Sequence, residues 1–169
     1  LRELAATVGI TDVRPMSELA TIVKGKSVHF LPPYRGDHRV WLWELLGVEP
    51  AAQPAKASVP FIKAIVSQRN HKDEEELRLI EESVDLSTKM HLAAYRTVRP
   101  GIHESEMAAA IEEVACRPGG ALAFPTIATV QGQVLHNHGF IHDLKDGDIF
   151  LLDAGAETRS HYAGDLSSS

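Results

Sequence analysis

The residues best placed to do chemistry lie near the C-terminal end of the chain. Asp153 closes an apolar run, Ile149–Leu152, and three small residues follow it, Ala154-Gly155-Ala156. Small residues after an acid let a ligand or an ion approach the backbone closely. Asp165 stands twelve positions further on, again after a small pair, Ala163-Gly164. If the two segments are neighbouring strands, both carboxylates converge on one point. There they repel each other unless they share a proton or bind a cation. Divalent ions that favour oxygen ligands, Mn²⁺ among them, suit such a pair. An aspartate at a strand end also serves as a turn or cap residue, so this spacing alone leaves both roles open.

A second candidate is His136-Asn137-His138, with His142 further on. Two imidazoles two positions apart on a strand share a face and suit zinc or iron, as in a cupin-like site. The glutamate expected a few residues later in such a site is missing, and Asp143 stands there instead. One of these histidines can instead donate a hydrogen bond to a polarised substrate carbonyl, or simply be a satisfied residue in a loop. Cys116, next to Arg117, reads either as an activated thiol or as a packing cysteine, with packing the expectation because no partner histidine is placed by motif. The chain has no glycine-rich phosphate loop, no Gly-x-Ser-x-Gly elbow and no His-Glu-x-x-His.

Composition narrows the setting for these residues. The 169 residues include 17 basic and 23 acidic side chains, a formal charge of −6, with 44% hydrophobic and 24% charged residues. That is ordinary globular composition, and it excludes collagen-like, coiled-coil and disordered classes. The acidic balance argues against nucleic acid as the main partner. The longest uncharged stretch, Pro118–Leu135, is broken by glycines, a proline and glutamines and does not read as a membrane span. Leu1–Ile10 carries Arg2 and Glu3 and lacks the apolar run of a secretory signal. A single cysteine suits a reducing compartment, so the expected location is cytoplasmic. The chain opens on Leu1 and stops at Ser169, just after an expected strand, as a piece of a longer protein does.

Elements that position the candidate residues follow from periodicity. Leu1–Gly9 reads as a short helix, Ser27–Leu31 as a buried strand and His38–Leu46 as a helix capped by Asp37 and stopped by Gly47. Trp41 and Trp43 read either as a stacking platform or, the expectation, with at least one of them as core or interface packing. Val48–Pro60, with Pro50, Pro54 and Pro60, reads as a linker, and Phe61–Val66 as a last strand before a second domain. These features divide the chain into residues 1–60 and 61–169. Asp73-Glu74-Glu75-Glu76 opens a long helix whose apolar stripe runs through Leu77, Ile80, Val84, His91, Ala94 and Val98, widened by Leu79, Leu86 and Met90. A second helix spans about Glu104–Arg117 and ends at Pro118-Gly119-Gly120. The period then changes: Ala123–Val130 reads as a strand, Lys145-Asp146-Gly147-Asp148 as a tight turn and Ile149–Asp153 as a strand. Helices followed by antiparallel strands make the fold class α+β.

Taken as a set, Leu135-His136, Lys145–Asp148, Leu151-Leu152-Asp153-Ala154-Gly155-Ala156-Glu157 and Tyr162-Ala163-Gly164-Asp165 resemble the aminopeptidase P/prolidase branch of the pita-bread metallopeptidases. The helix start at Lys72–Glu76 and the Gly101…Glu104…Glu106 segment resemble the same family's opening helices. The resemblance covers roughly residues 62–169. It implies the N-terminal half of a pita-bread catalytic domain, preceded by the end of a smaller α/β (creatinase-like) domain. It also implies a dinuclear site, usually manganese, held by two aspartates, one histidine and two glutamates. Asp153 and Asp165 match the two aspartates. His136 matches the histidine that contacts substrate near the scissile bond, the catalytic and substrate-binding residue of this chain. The implied reaction is hydrolysis of the bond before proline, in peptides with proline at the second position, by a homodimeric Xaa-Pro aminopeptidase or dipeptidase.

After Asp165 the family often has Thr-Arg-Thr, where this chain has Leu166-Ser167-Ser168-Ser169. The loop between the aspartates is one residue longer than in some relatives. The remaining histidine and both glutamates of the implied site fall outside the chain, so on its own it is expected to be catalytically inactive. Two other readings compete: a metal-free peptide- or protein-binding module on the same fold, and a mononuclear metal site at His136, His138 and His142.

Overall fold

The computed structural model describes residues 5–7, 9–10, 12–137 and 139–169. The chain divides into two compact units, Leu1–His71 and Lys72–Ser169. The division falls at the turn before the Asp73 helix, eleven residues beyond the break suggested by the proline-rich stretch.

The first unit is helical among its described residues. Residues 5–7 are helical; the remainder of the expected Leu1–Gly9 helix is described only at Gly9, because 1–4 and 8 lie outside the described residues. A 3₁₀ turn, Met16–Glu18, leads into α1, Leu19–Val23. Helix α2 spans Gly36–Leu46 and stops where Gly47 turns left-handed (φ 67°) and donates to the Trp43 carbonyl at 2.7 Å. The N-cap position is Arg35, and Asp37, expected there, lies in the first turn paired with it. Trp41 and Trp43 are both exposed.

Ser27–Leu31 is not a strand. It has no ladder partner among the described residues, and the Ser58 N–H donates to the Phe30 carbonyl at 3.1 Å. Nor is Val48–Pro60 a plain linker. Pro54 and Pro60 sit in the first turns of two helices, α3 (Gln53–Lys56) and α4 (Val59–Asn70), where a missing N–H costs nothing. The Ser58 hydroxyl accepts from Phe61 N–H at 3.3 Å. That cap turns the apolar run Phe61–Val66, expected as a strand, into the body of α4. A short apolar run carries no period of its own, so the cap decides.

The second unit opens on α5, Glu74–Thr97, held by a full capping box: the Asp73 carboxylate accepts from Glu76 N–H at 2.8 Å, and Glu76 accepts from Asp73 N–H at 3.0 Å. Helix α6 spans Glu104–Cys116 and packs on α5. Five short strands follow: β1 (Ala121–Leu122), β2 (Ile127–Thr129), β3 (Leu151–Ala154), β4 (Ala156–Glu157) and β5 (Leu166–Ser168). They form an antiparallel β2-β3-β5 sheet and a β1-β4 pair. This is the expected α+β order.

The core between helices and sheet holds Met90, Met107, Ile111 and Leu152, all fully buried, with alanines 108, 115, 154 and 156 between them. The buried line of α5 is Ser83, Ser87, Met90, His91 and Ala94. The expected stripe is thus rotated, leaving Leu77 and Val98 exposed. The reason is the closeness of backbone on that face. Ser87 Oγ accepts from Ala156 N–H at 2.9 Å, and Ser83 Oγ donates to the Tyr162 carbonyl at 2.6 Å. Small hydroxyl side chains satisfy backbone groups that a leucine would leave unpaired. Gly164 is required for the same contact, since a Cβ there would stand 2.7 Å from the Ser83 carbonyl oxygen.

Candidate metal and substrate site

Asp153 lies on β3 and Asp165 immediately precedes β5. The β3–β5 register pairs Leu152 with Ser168, Asp153 with Ser167 and Ala154 with Leu166. The same register continues beyond the strands: Gly164 N–H donates to the Ala156 carbonyl at 2.9 Å, and Glu157 bridges Ala163. Gly155 therefore stands opposite Asp165. Directly opposed residues share a face and alternate residues return to it, so Asp153, Gly155, Asp165 and Ser167 project to one side. The two aspartates are diagonal neighbours, about 7–8 Å apart at the backbone, and their carboxylates can reach toward one another.

The other wall comes from a break in the neighbouring strand. Ala123 N–H donates to the Gly155 carbonyl at 2.9 Å, while Ile127 already pairs with Asp153. Phe124, Pro125 and Thr126 together occupy the place opposite Ala154, a bulge of the kind that re-aims side chains beside functional sites. Pro125 cannot donate to a ladder, and this is why the expected Ala123–Val130 strand is split into β1 and β2. Phe124, Pro125, Ile127, His136, Asp153 and Asp165 line a single cavity of about 370 Å³. A side chain at Gly155 would run into the Gly164 carbonyl oxygen and meet the Phe124 ring at 2.9 Å, so glycine is what lets the two opposed backbones and Phe124 approach here.

Asp153 is half-buried and accepts one hydrogen bond, from Ser167 Oγ at 3.1 Å. Asp165 is exposed. His136 is exposed and adopts φ 60°, a left-handed conformation that a residue with a Cβ keeps only when its surroundings impose it. The three sequence-derived site residues are thus brought together. His142 does not line this cavity, and His138 lies outside the described residues. Cys116 is exposed at the end of α6 instead of packed, and the neighbouring Arg117 guanidinium is engaged by Glu113.

Two carboxylates and an imidazole facing one polar-and-apolar cavity are a donor set that fits a divalent cation. Among the described residues no three His, Cys, Asp or Glu side chains are grouped tightly enough to enclose an ion. Two carboxylates by themselves leave most of a divalent ion's coordination sphere unfilled.

Sequence reading missed two further contributors. One is the Phe124–Pro125 wall, signalled only by a proline inside an apolar run. The other is Glu104, fully buried at the start of α6. Its Oε1 accepts from Thr129 Oγ1 (2.8 Å) and Val130 N–H (2.9 Å), and its Oε2 from Ile141 N–H (2.9 Å) and His142 N–H (3.1 Å). Burial pushes the Glu104 carboxyl up, but these donors outweigh it and hold the group below its ordinary value. Behind the aspartates, His91 Nε2 donates to the Ala154 carbonyl at 3.3 Å, so its Nδ1 accepts from the Ser168 hydroxyl at 2.7 Å. This bridge fixes β3 against β5.

A family model for metallopeptidase family M24 matches residues 78–169, and the chain belongs to that family. The Xaa-Pro aminopeptidase of Escherichia coli K12 is 29% identical over 58% of this chain and 23% of its own length. The aminopeptidase PepP of Pseudomonas aeruginosa shares the fold at a TM-score of 0.76 with 22% identity, over 96% of this chain and 40% of that one. Proline aminopeptidase P II from Yersinia pestis does so at 0.75 with 23% identity, over 98% and 41%. The fold is accordingly the α+β pita-bread arrangement of an aminopeptidase P catalytic domain, and the chain spans less than half of those solved chains and about a quarter of the curated enzyme. One solved relative is a zinc-substituted E. coli aminopeptidase P in complex with product.

Proposed function

We propose that the intact protein hydrolyses the peptide bond before a proline at the second position, as an Xaa-Pro aminopeptidase or dipeptidase. The observation that carries this reading is the convergence of Asp153, Asp165 and His136 on one cavity, in a chain of the M24 family. Asp153 and Asp165 hold the metal ions, Mn²⁺ being the expected species. When bound, such ions supply Lewis acidity and an activated water at neutral pH. His136 hydrogen-bonds the substrate near the scissile bond. Phe124, Pro125 and Ile127 form an apolar wall that supports recognition of a pyrrolidine ring, and Ser167 holds Asp153 in its rotamer. We place the enzyme in the cytoplasm as a homodimer. Residues 1–169 alone, with two carboxylates of the expected five ligands, do not catalyse.

The test is cleavage of an Xaa-Pro peptide by the intact protein with added Mn²⁺, with and without Asp153→Ala or Asp165→Ala. Loss of cleavage in both variants is expected, and retained activity in either contradicts the assignment. A protein that binds the peptide without metal uptake or cleavage is a binding module instead.

A further inference from the structure

Glu104 is a buried acid that the reading above leaves without a task. A carboxylate removed from water is costly unless it is fully hydrogen-bonded, and this one takes four donors divided evenly between its two oxygens. The division has a geometric meaning. Oε1 holds Thr129 and Val130, where the chain leaves β2; Oε2 holds Ile141 and His142, where it returns. Between these stems runs the segment that carries His136. Glu104 N–H also donates to the His142 carbonyl at 2.9 Å, so α6 grips the returning stem by backbone as well as by side chain. Among the described residues the other bonds along the segment are local: Gln131 N–H to Thr129 Oγ1, Val134 N–H to the Gln131 carbonyl, the Gln133 amide to Gln131 Oε1 and Gly139 N–H to Asn137 Oδ1. The left-handed backbone of His136 needs outside support to persist, and the Glu104 clamp supplies it at both ends.

We propose that Glu104 is the positioning residue for His136, setting the imidazole against the Asp153–Asp165 cavity by fixing both stems of its segment. The inference rests on the Xaa-Pro peptidase reading for what His136 does, but not for how it is held. Only a carboxylate can accept at all four positions; an amide turns an NH₂ toward two donors.

Two readouts on the intact protein test it. In Glu104→Gln, amide exchange across residues 131–142 rises about tenfold or more while α5 keeps its protection. With Mn²⁺ and an Xaa-Pro peptide, kcat falls at least about tenfold with KM little changed. His136→Ala also lowers kcat, and the double variant is no slower than His136→Ala alone, because both act through one group. Unaltered exchange at 131–142, exchange raised evenly through the unit, or kinetic losses that multiply would overturn the proposal. Should Glu104→Gln fail to fold, Thr129→Val removes one donor to the carboxylate together with the acceptor of Gln131 N–H, and it must show the same pattern at smaller amplitude at residues 132–142, beyond the amide it frees directly. If the unmodified protein cleaves no Xaa-Pro peptide, the functional reading falls, and the exchange experiment still decides the clamp.

Discussion

Ser167 lies directly across the β3–β5 ladder from Asp153 and donates its hydroxyl to the aspartate at 3.1 Å. Two residues back along the same strand direction is Asp165, so a single antiparallel register presents two carboxylates and the group that orients one of them. The arrangement depends on pairing alone: a one-residue slip of β5 would turn Asp165 and Ser167 to the face opposite Asp153. Whatever fixes the register therefore fixes the site. His91, bonded to Ala154 on one strand and Ser168 on the other, is a main fixture.

Ser167→Ala is expected to leave the fold intact and weaken metal retention modestly. It removes a single hydrogen bond worth about 1 kcal/mol. Titration of Mn²⁺ into the intact variant checks this, with affinity falling no more than about tenfold, since 1.4 kcal/mol is a factor of ten.

Stability should depend on acid through Glu104. Its folded pKa lies below the ordinary 4.5, so the stabilisation is fully present above the unfolded value and is lost as pH falls through the folded one. Thermal melts of the wild type should therefore drop below about pH 4.5, the ordinary value from which Glu104 is lowered. Glu104→Gln should lose part of that acid dependence, its melting temperature changing less than the wild type's as pH falls through this range.

Close approach of α5 to the sheet predicts intolerance at two small residues. Ser87→Ala leaves the buried Ala156 N–H without its 2.9 Å partner, at a cost of about 1–3 kcal/mol. Gly164→Ala forces a Cβ against the Ser83 carbonyl, at about 1–3 kcal/mol by overpacking. Denaturant midpoints measure both, and a neutral result for either would show that the helix can move away from the sheet.

The long helices were legible in the sequence because their signals are local. Asp73 and Glu76 form a capping box within four residues, and Gly47 stops its helix by its own left-handed turn. Asp153 and Asp165 could be picked out as candidates because small residues adjoin both acids, whereas His136 stood out only through the family resemblance. What escaped was non-local. The rotated face of α5 depends on Ser83 and Ser87 serving backbone groups some 70 to 80 positions away. Glu104 reads as one acid among several at a helix start until Thr129, Val130, Ile141 and His142 arrive around it. In the first unit, Phe61–Val66 became helix through the Ser58 cap, a signal masked by the apolar run itself.

The central claim is that Asp153 and Asp165 together hold the metal of an Xaa-Pro peptidase. Asp165 is exposed and Asp165→Asn preserves its shape, so a change in this variant reports charge and coordination instead of folding. The decisive measurement is Mn²⁺-supported cleavage of an Xaa-Pro peptide by the intact protein beside its Asp165→Asn variant, with bound metal counted in both. The account predicts cleavage and bound metal in the first, and loss of both with an unchanged melting temperature in the second. Equal cleavage and equal metal content in the two proteins would contradict it.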